Sequence, residues 1–231
     1  SKSTIRRDLI ASGLVNRKRR KGPRRRVDDA KRRVEFCRDM LGKYGGGKPV
    51  DILFSDEKYA DINDHGSRTQ WVRKTADVLP FERERFSPRL HVWGCVGIGV
   101  KILVFLPPII AAVDYQKFCL KPNVAALRKG LFMQDNARPH VSSTTMSFFR
   151  RNKISILEPW PPRSPDINVI EMLWARIDAA VSKRIPVNQE ELRTFWQEEW
   201  DRVPQAEIDD LVRSFARRCR AVVASRGATI S

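Results

Sequence analysis

Apolar and polar positions follow two different periods along this chain, and the places where the period changes mark its elements. Over residues 28–43, Val34, Phe36, Cys37, Met40 and Leu41 fall on one side of a helix, with basic residues opposite and Asp28 and Asp29 placed to cap its start. The triplet Gly45, Gly46 and Gly47 ends it. From Val50 the spacing becomes that of strands, predicted over residues 50–56, 59–62, 69–73, 90–96 and 100–106. A charged, proline-bearing stretch between Arg73 and Arg89 interrupts them. Compact domains keep loops of that length mainly for a purpose.

Helix and strand then alternate. The pattern predicts a helix over residues 114–129, a strand over 131–134, a helix over 142–152 and a strand over 154–157. After a proline-rich loop over residues 158–165, helical periodicity runs from Ile167 to Arg184, capped by Asp166, and two further helices cover 188–202 and 205–224. Strands first, then strands alternating with helices, predict an α/β fold with a mixed sheet flanked by helices.

Composition narrows the class. The chain has 231 residues, 42% of them apolar, which suits one domain with a large core and an appendage. No run approaches the ~20 continuous apolar residues a bilayer demands, so no membrane partner is expected. Residues 1–14 are polar with a helical pattern and lack the charged-then-apolar layout of an export signal. Cys37, Cys95, Cys119 and Cys219 are far apart and form no CxxC pair, so they read as reduced core residues. His65, His91 and His140 do not supply the close ligand pairs of a structural zinc site.

Charge changes the picture more. Of the net +17, residues 1–50 carry 17 basic and 5 acidic side chains. The centre of this excess is Arg17, Lys18, Arg19, Arg20, Lys21, Arg24, Arg25 and Arg26, broken only by Gly22 and Pro23. With no apolar face to fold on, such a segment suits an extended arm on a phosphate backbone or in a narrow minor groove, or a nuclear-import signal. Residues 3–14, with Ser3, Ile5, Leu9, Ile10 and Gly13, form one short amphipathic helix. Too short to stand alone, it reads as the last helix of a helix-turn-helix whose earlier part lies upstream.

Three acids carry the candidate chemistry. Asp56 and Asp135 each follow an apolar strand, at the sheet edge where open α/β folds bind ligands. Glu171 lies about a turn into the helix after Pro165, beside the stripe Ile167, Ile170 and Trp174. Three oxygen donors from two strand ends and a helix suit Mg2+ or Mn2+, and two such ions about 4 Å apart would serve an in-line phosphoryl displacement. The same residues would also serve as turn formers and an ordinary helix surface.

The surrounding words are more specific. Phe54-Ser55-Asp56-Glu57-Lys58, Val92-Trp93-Gly94-Cys95, Gln134-Asp135-Asn136-Ala137-Arg138-Pro139-His140 and the block from Trp160 to Trp174, containing Ser164-Pro165-Asp166, Asn168, Ile170-Glu171 and Leu173-Trp174, together resemble the Tc/mariner superfamily of DNA transposases. The likeness spans nearly the whole chain, including Thr4-Ile5-Arg6-Arg7, which is similar to the end of that family's second helix-turn-helix. It implies an RNase H-like core with a mixed five-stranded sheet over residues 50–231, preceded by a DNA-binding arm over residues 1–49. It implies a DDE triad on Asp56, Asp135 and Glu171, two Mg2+ or Mn2+ ions, and cleavage at transposon ends. The freed 3′ hydroxyl would be joined to a TA target in double-stranded DNA. A clamp-like loop over residues 63–89 and a homodimer follow from the same likeness, and nuclear localisation is expected from the DNA substrate and the basic arm. Departures are few: 35 residues separate Asp135 from Glu171, longer than the usual Tc-type interval, and Val169 stands where proline is frequent. The arm also lacks the family's glycine-arginine-proline hook.

DNA contacts are assigned to Arg6, Arg7, Arg17, Lys18, Arg19, Arg20, Lys21, Arg24, Arg25, Arg26, Arg73 and His140. Glu57 is expected to point away from Asp56 in a structural role. Trp160 either stacks on an unpaired base or covers the core. Trp93 and Trp174 read as core, and Arg213, Arg217, Arg218 and Arg220 as a basic helix face. Two other readings remain: a domesticated DNA-binding protein without catalysis, against which the presence of all three acids argues, and an RNase H-like nuclease unrelated to mobility, which fits the acids but leaves the basic arm and the helix-turn-helix remnant unexplained.

Overall fold

In the computed structural model, residues 27–48, 50–61 and 89–230 are described. Residues 1–26, Arg73 and the body of the clamp-like loop lie outside them. The sheet runs in the order β3-β2-β1-β4, with β1 at Ile52–Asp61, β2 at Arg89–Gly97, β3 at Val100–Leu106 and β4 at Leu131–Met133. Strands β1 to β3 are antiparallel neighbours, and β4 lies parallel to β1, pairing Ile52 with Leu131 and Phe54 with Met133. The predicted strands at 50–56 and 59–62 are thus one strand. The fifth, over 154–157, is reduced to a bridge beside β4, where Phe132 donates to Ser155 at 2.8 Å and Leu157 donates to Phe132 at 2.8 Å.

Both faces of the sheet are covered, which is why residues 52–55 are buried without alternation. Leu53, Trp93, Cys95 and Phe132 face one apolar cluster, Ile52, Phe54, Val92 and Met133 the other. The first is roofed by a helical segment and by α4 (Arg138–Val141) and α5 (Ser143–Arg151). That segment, predicted as one helix, is broken into α2 (Ala112–Tyr115), a wide π turn (Gln116–Leu120), a tight 3-10 turn (Lys121–Asn123) and α3 (Val124–Leu127). Pro122, without an amide hydrogen, sits at the break. Ser142 caps α5 by accepting from the Thr145 amide at 3.3 Å.

The other face carries α1 (Val27–Tyr44), α6 (Ile170–Ser182), α7 (Gln189–Arg202), α8 (Gln205–Arg213) and α9 (Phe215–Ala224). Helix α1 ends at Gly45 to Gly47, where Gly46 and Gly47 take φ of 71° and 82°, a region open to glycine. Its buried face is Asp29, Arg33, Phe36, Cys37 and Met40, and the three apolar members belong to the same core as Phe54 and Trp174. A boundary was expected at residue 49, and α1, which lies ahead of it, shares this core. Helix α1 is part of the folded domain.

Arg33 is fully buried, contrary to a helix with its bases outside. Its guanidinium donates to Asp166 Oδ1 at 2.8 Å and Oδ2 at 2.7 Å, and its Nε to the Gly227 carbonyl at 3.0 Å. Asp166 also accepts from the Ile230 amide. It does not cap α6, whose first turn is preceded by Val169. A second pair runs the same way, Arg163 donating to Asp29. Two ion pairs thus tie α1 to the loop before α6.

Candidate active site

Parallel β1 and β4 deliver their carboxyl ends to one side of the sheet. Asp56 follows the buried run 52–55, and Asp135 lies two residues beyond β4. The middle of β1 is stitched to the end of β4 where Ser55 Oγ donates to the Met133 carbonyl at 2.7 Å. Glu171 is the second residue of α6. That helix comes close because Gly94, opposite Asp56 in the ladder, has no side chain: a Cβ there would lie 2.5 Å from the Trp174 ring and 2.9 Å from Ile170. Asn168, buried, donates to the Ser55 carbonyl at 3.2 Å, and its own carbonyl accepts from the Glu171 amide at 3.3 Å.

The three acids from three elements line a single cavity of about 380 Å3, with Asn136, Ala137, Asn168 and the loop 160–165 forming its other walls. Their electrostatics differ. Burial, then the charges of Glu171, Glu57 and Asp135, push the Asp56 carboxyl well above the usual carboxylate range, against a hydrogen bond from the Glu57 amide. Burial also raises Glu171, opposed by the Lys58 ammonium and a hydrogen bond shared with Asp56. Lys58 is held by Asp178 at 2.8 Å, two turns along α6. Burial would raise Asp135 as well, but the hydrogen bond and charge of His140 and the Ala137 amide outweigh it and hold this carboxyl low. Burial alone would keep His140 neutral, yet its bonds to Asp135 and Glu57 push it up to about 9.

His140 is buried, its Nδ1 2.7 Å from Asp135 Oδ1 and its Nε2 2.9 Å from Glu57 Oε1. Both ring nitrogens are engaged within the protein, whereas a DNA contact was expected of this residue. Glu57 does face away from the cavity, and the ring it holds is the reason. Trp160 belongs to the core, edge-on to Phe36 with centroids 5.2 Å apart. Asn136 donates to the Trp160 carbonyl at 3.0 Å, a turn-forming contact. Arg218 is half-buried and donates to the Asp166 carbonyl at 2.9 Å, so the basic face at the end of the chain is partly structural. Arg6, Arg7, the arm residues 17–26 and Arg73 lie outside the described residues. Sequence reasoning missed the Glu57–His140 link and the stitching by Asn168, although both asparagine and histidine stand inside motifs it quoted.

Among the described residues, no group of three or more His, Cys, Asp or Glu side chains already stands at metal-ligand spacing. The donor set still suits a hard divalent ion: three carboxylates on one cavity, two of them raised chiefly by burial, Asp56 further by the charges around it. No described helix is long and apolar enough to cross a membrane.

No protein-family model matches the chain. The Tc3 transposase of Caenorhabditis elegans is 31% identical over 249 aligned positions, covering 100% of this chain and 72% of that protein. The Tcb1 transposase of Caenorhabditis briggsae is 28% identical, covering 98% of this chain and 86% of its own length. Among solved structures, a paired-end complex of Mos1 transposase with the left transposon end superposes with a TM-score of 0.85 at 19% identity, covering 100% of this chain and 72% of that one. The Mos1 catalytic domain, solved with raltegravir and Mg, gives 0.69 at 16% identity over 90% of this chain and 100% of that one.

Proposed function

The chain belongs to the Tc/mariner transposases, and from that premise we propose that it excises and inserts DNA at the cavity bounded by Asp56, Asp135 and Glu171. The observation that carries this reading is the convergence of the three acids on one cavity, with the Asp56 and Glu171 carboxyls raised chiefly by burial. Asp56, Asp135 and Glu171 would hold two divalent cations, consistent with Mos1 structures that contain Mg or Mn. Such ions, when bound, activate the attacking oxygen and stabilise the leaving one in phosphodiester cleavage and strand joining. The protein's own residues set this up. Ser55 and Asn168 tie β1 to the end of β4 and to the start of α6, and Lys58 offsets part of the negative charge at Glu171.

The substrate we infer is double-stranded DNA carrying terminal repeats, with TA as the target and the basic arm along the backbone. Two copies would act together on paired ends, a reading that draws support from the paired-end complexes of Mos1. The arm would also serve nuclear import. Incubation with Mg2+ and a labelled duplex bearing the element's own terminal repeat tests the assignment. Ordered cleavage and joining is expected, with Asp135→Asn abolishing both while end binding persists. Binding without cleavage by the intact protein, or cleavage confined to the RNA strand of hybrids, overturns it.

A further inference from the structure

We propose that Glu57 and His140 are positioning residues that hold the Asp135 carboxylate in one orientation, with a single oxygen presented to a divalent cation. This rests on the reading of Asp135 as a cation ligand. Asp135 Oδ1 is committed within the protein, taking both the His140 ring at 2.7 Å and the Ala137 amide at 2.9 Å. Oδ2 has no such bond among the described residues. A carboxylate held by one oxygen cannot swing to chelate with both, so its direction and its ligation mode are set before any cation arrives.

The ring that does this is itself fixed from every side. Its far nitrogen meets Glu57 Oε1 at 2.9 Å, on the strand residue next to Asp56. The Tyr115 ring lies against it with centroids 4.3 Å apart. Tyr115 donates its hydroxyl to Gln134 at 2.9 Å, and Gln134 donates to the His140 carbonyl at 3.1 Å. A histidine that only filled space would be satisfied by stacking and one hydrogen bond. Here both nitrogens engage carboxylates, one of them the candidate ligand. Through this ring β1, which carries Asp56, also steers the acid that follows β4, so two candidate ligands share one rigid support. Outer partners of this kind typically alter metal affinity by about 10- to 100-fold.

The test is Mn2+ titrated into the full chain without DNA, followed by the electron paramagnetic resonance of free Mn2+, with thermal melts to confirm folding. His140→Phe, which keeps the aromatic contact and removes both bonds, is expected to weaken Mn2+ binding by about 10-fold or more. Glu57→Ala should weaken it similarly. Glu57→Gln, which retains an acceptor oxygen for the ring, should recover most of the loss, a rescue that mere packing would not produce. If His140→Phe fails to fold, the two substitutions at half-buried Glu57 decide the matter. Wild-type affinity in folded Glu57→Ala, while Asp135→Asn abolishes binding, overturns the positioning role alone. Asp135→Asn binding Mn2+ as wild type does would instead remove Asp135 from the cation site.

Discussion

Asp56 sits where burial and then three other carboxylates raise its proton affinity, so its ionised form opposes folding until a cation arrives. The sign is opposite to that of a salt-bridged acid. Its folded pKa lies above the ordinary 3.8, so a destabilising contribution grows as pH rises past 3.8 and is complete once pH exceeds the raised value. His140 acts the other way for a base: raised from 6.5 to about 9, it contributes stability that is complete below 6.5 and lost as pH climbs through about 9. Both effects weaken the cation-free protein on the alkaline side. Melts in chelator are expected to show the midpoint falling between pH 6.5 and 9, with Asp56→Asn raising it near neutrality by a few degrees, or about 1 kcal/mol. A midpoint lowered by Asp56→Asn would contradict the charge crowding. The same variant should lose cleavage, a gain of stability at the expense of activity.

At the scale of elements, the decisive contacts are a missing side chain and two ion pairs. Gly94 lets α6 lie against β1 and β2, and a methyl there would strike the buried Trp174 ring. Gly94→Ala is expected to cost about 1–3 kcal/mol, measured by denaturant unfolding, and to slow cleavage by moving Glu171 away from Asp56. Arg33 and Asp166 join α1 to the loop that walls the cavity, both nearly inaccessible. Arg33→Met removes the bidentate partner of a buried carboxylate and should cost about 3 kcal/mol or more. Arg33→Met combined with Asp166→Leu should cost less than that single change, since burying a matched apolar pair carries no stranded charge. Equal or greater loss in the double variant would show that the pair is not coupled.

For the whole molecule, the charge is concentrated ahead of the fold. Residues 17–26 hold eight cations in ten positions. If they lie along the DNA backbone, affinity should fall steeply with salt, each phosphate contact adding about 0.9 to the logarithmic slope. Deleting residues 17–26 should flatten that slope by several units while leaving the fold's melting midpoint unchanged. An unaltered slope would take the arm out of the interface.

Much of this was legible in one dimension. The helix before the sheet, the types of the elements and the core tryptophans Trp93 and Trp174 follow from local pattern, because burial on two faces writes apolar runs and capped helices into adjacent residues, whereas the three acids were singled out by the motifs around them. What needed the third dimension joins residues far apart in the chain: His140 with Glu57, Arg33 with Asp166, Asn168 with Ser55. These pairs lie 83, 133 and 113 positions apart, beyond the reach of any periodicity. The sequence alone determined which chemical groups the protein has and which element bears each. Folding decided which of them meet, because a buried charge or ring takes whatever partner the packing of distant elements brings within hydrogen-bonding range, and its behaviour is set by that partner.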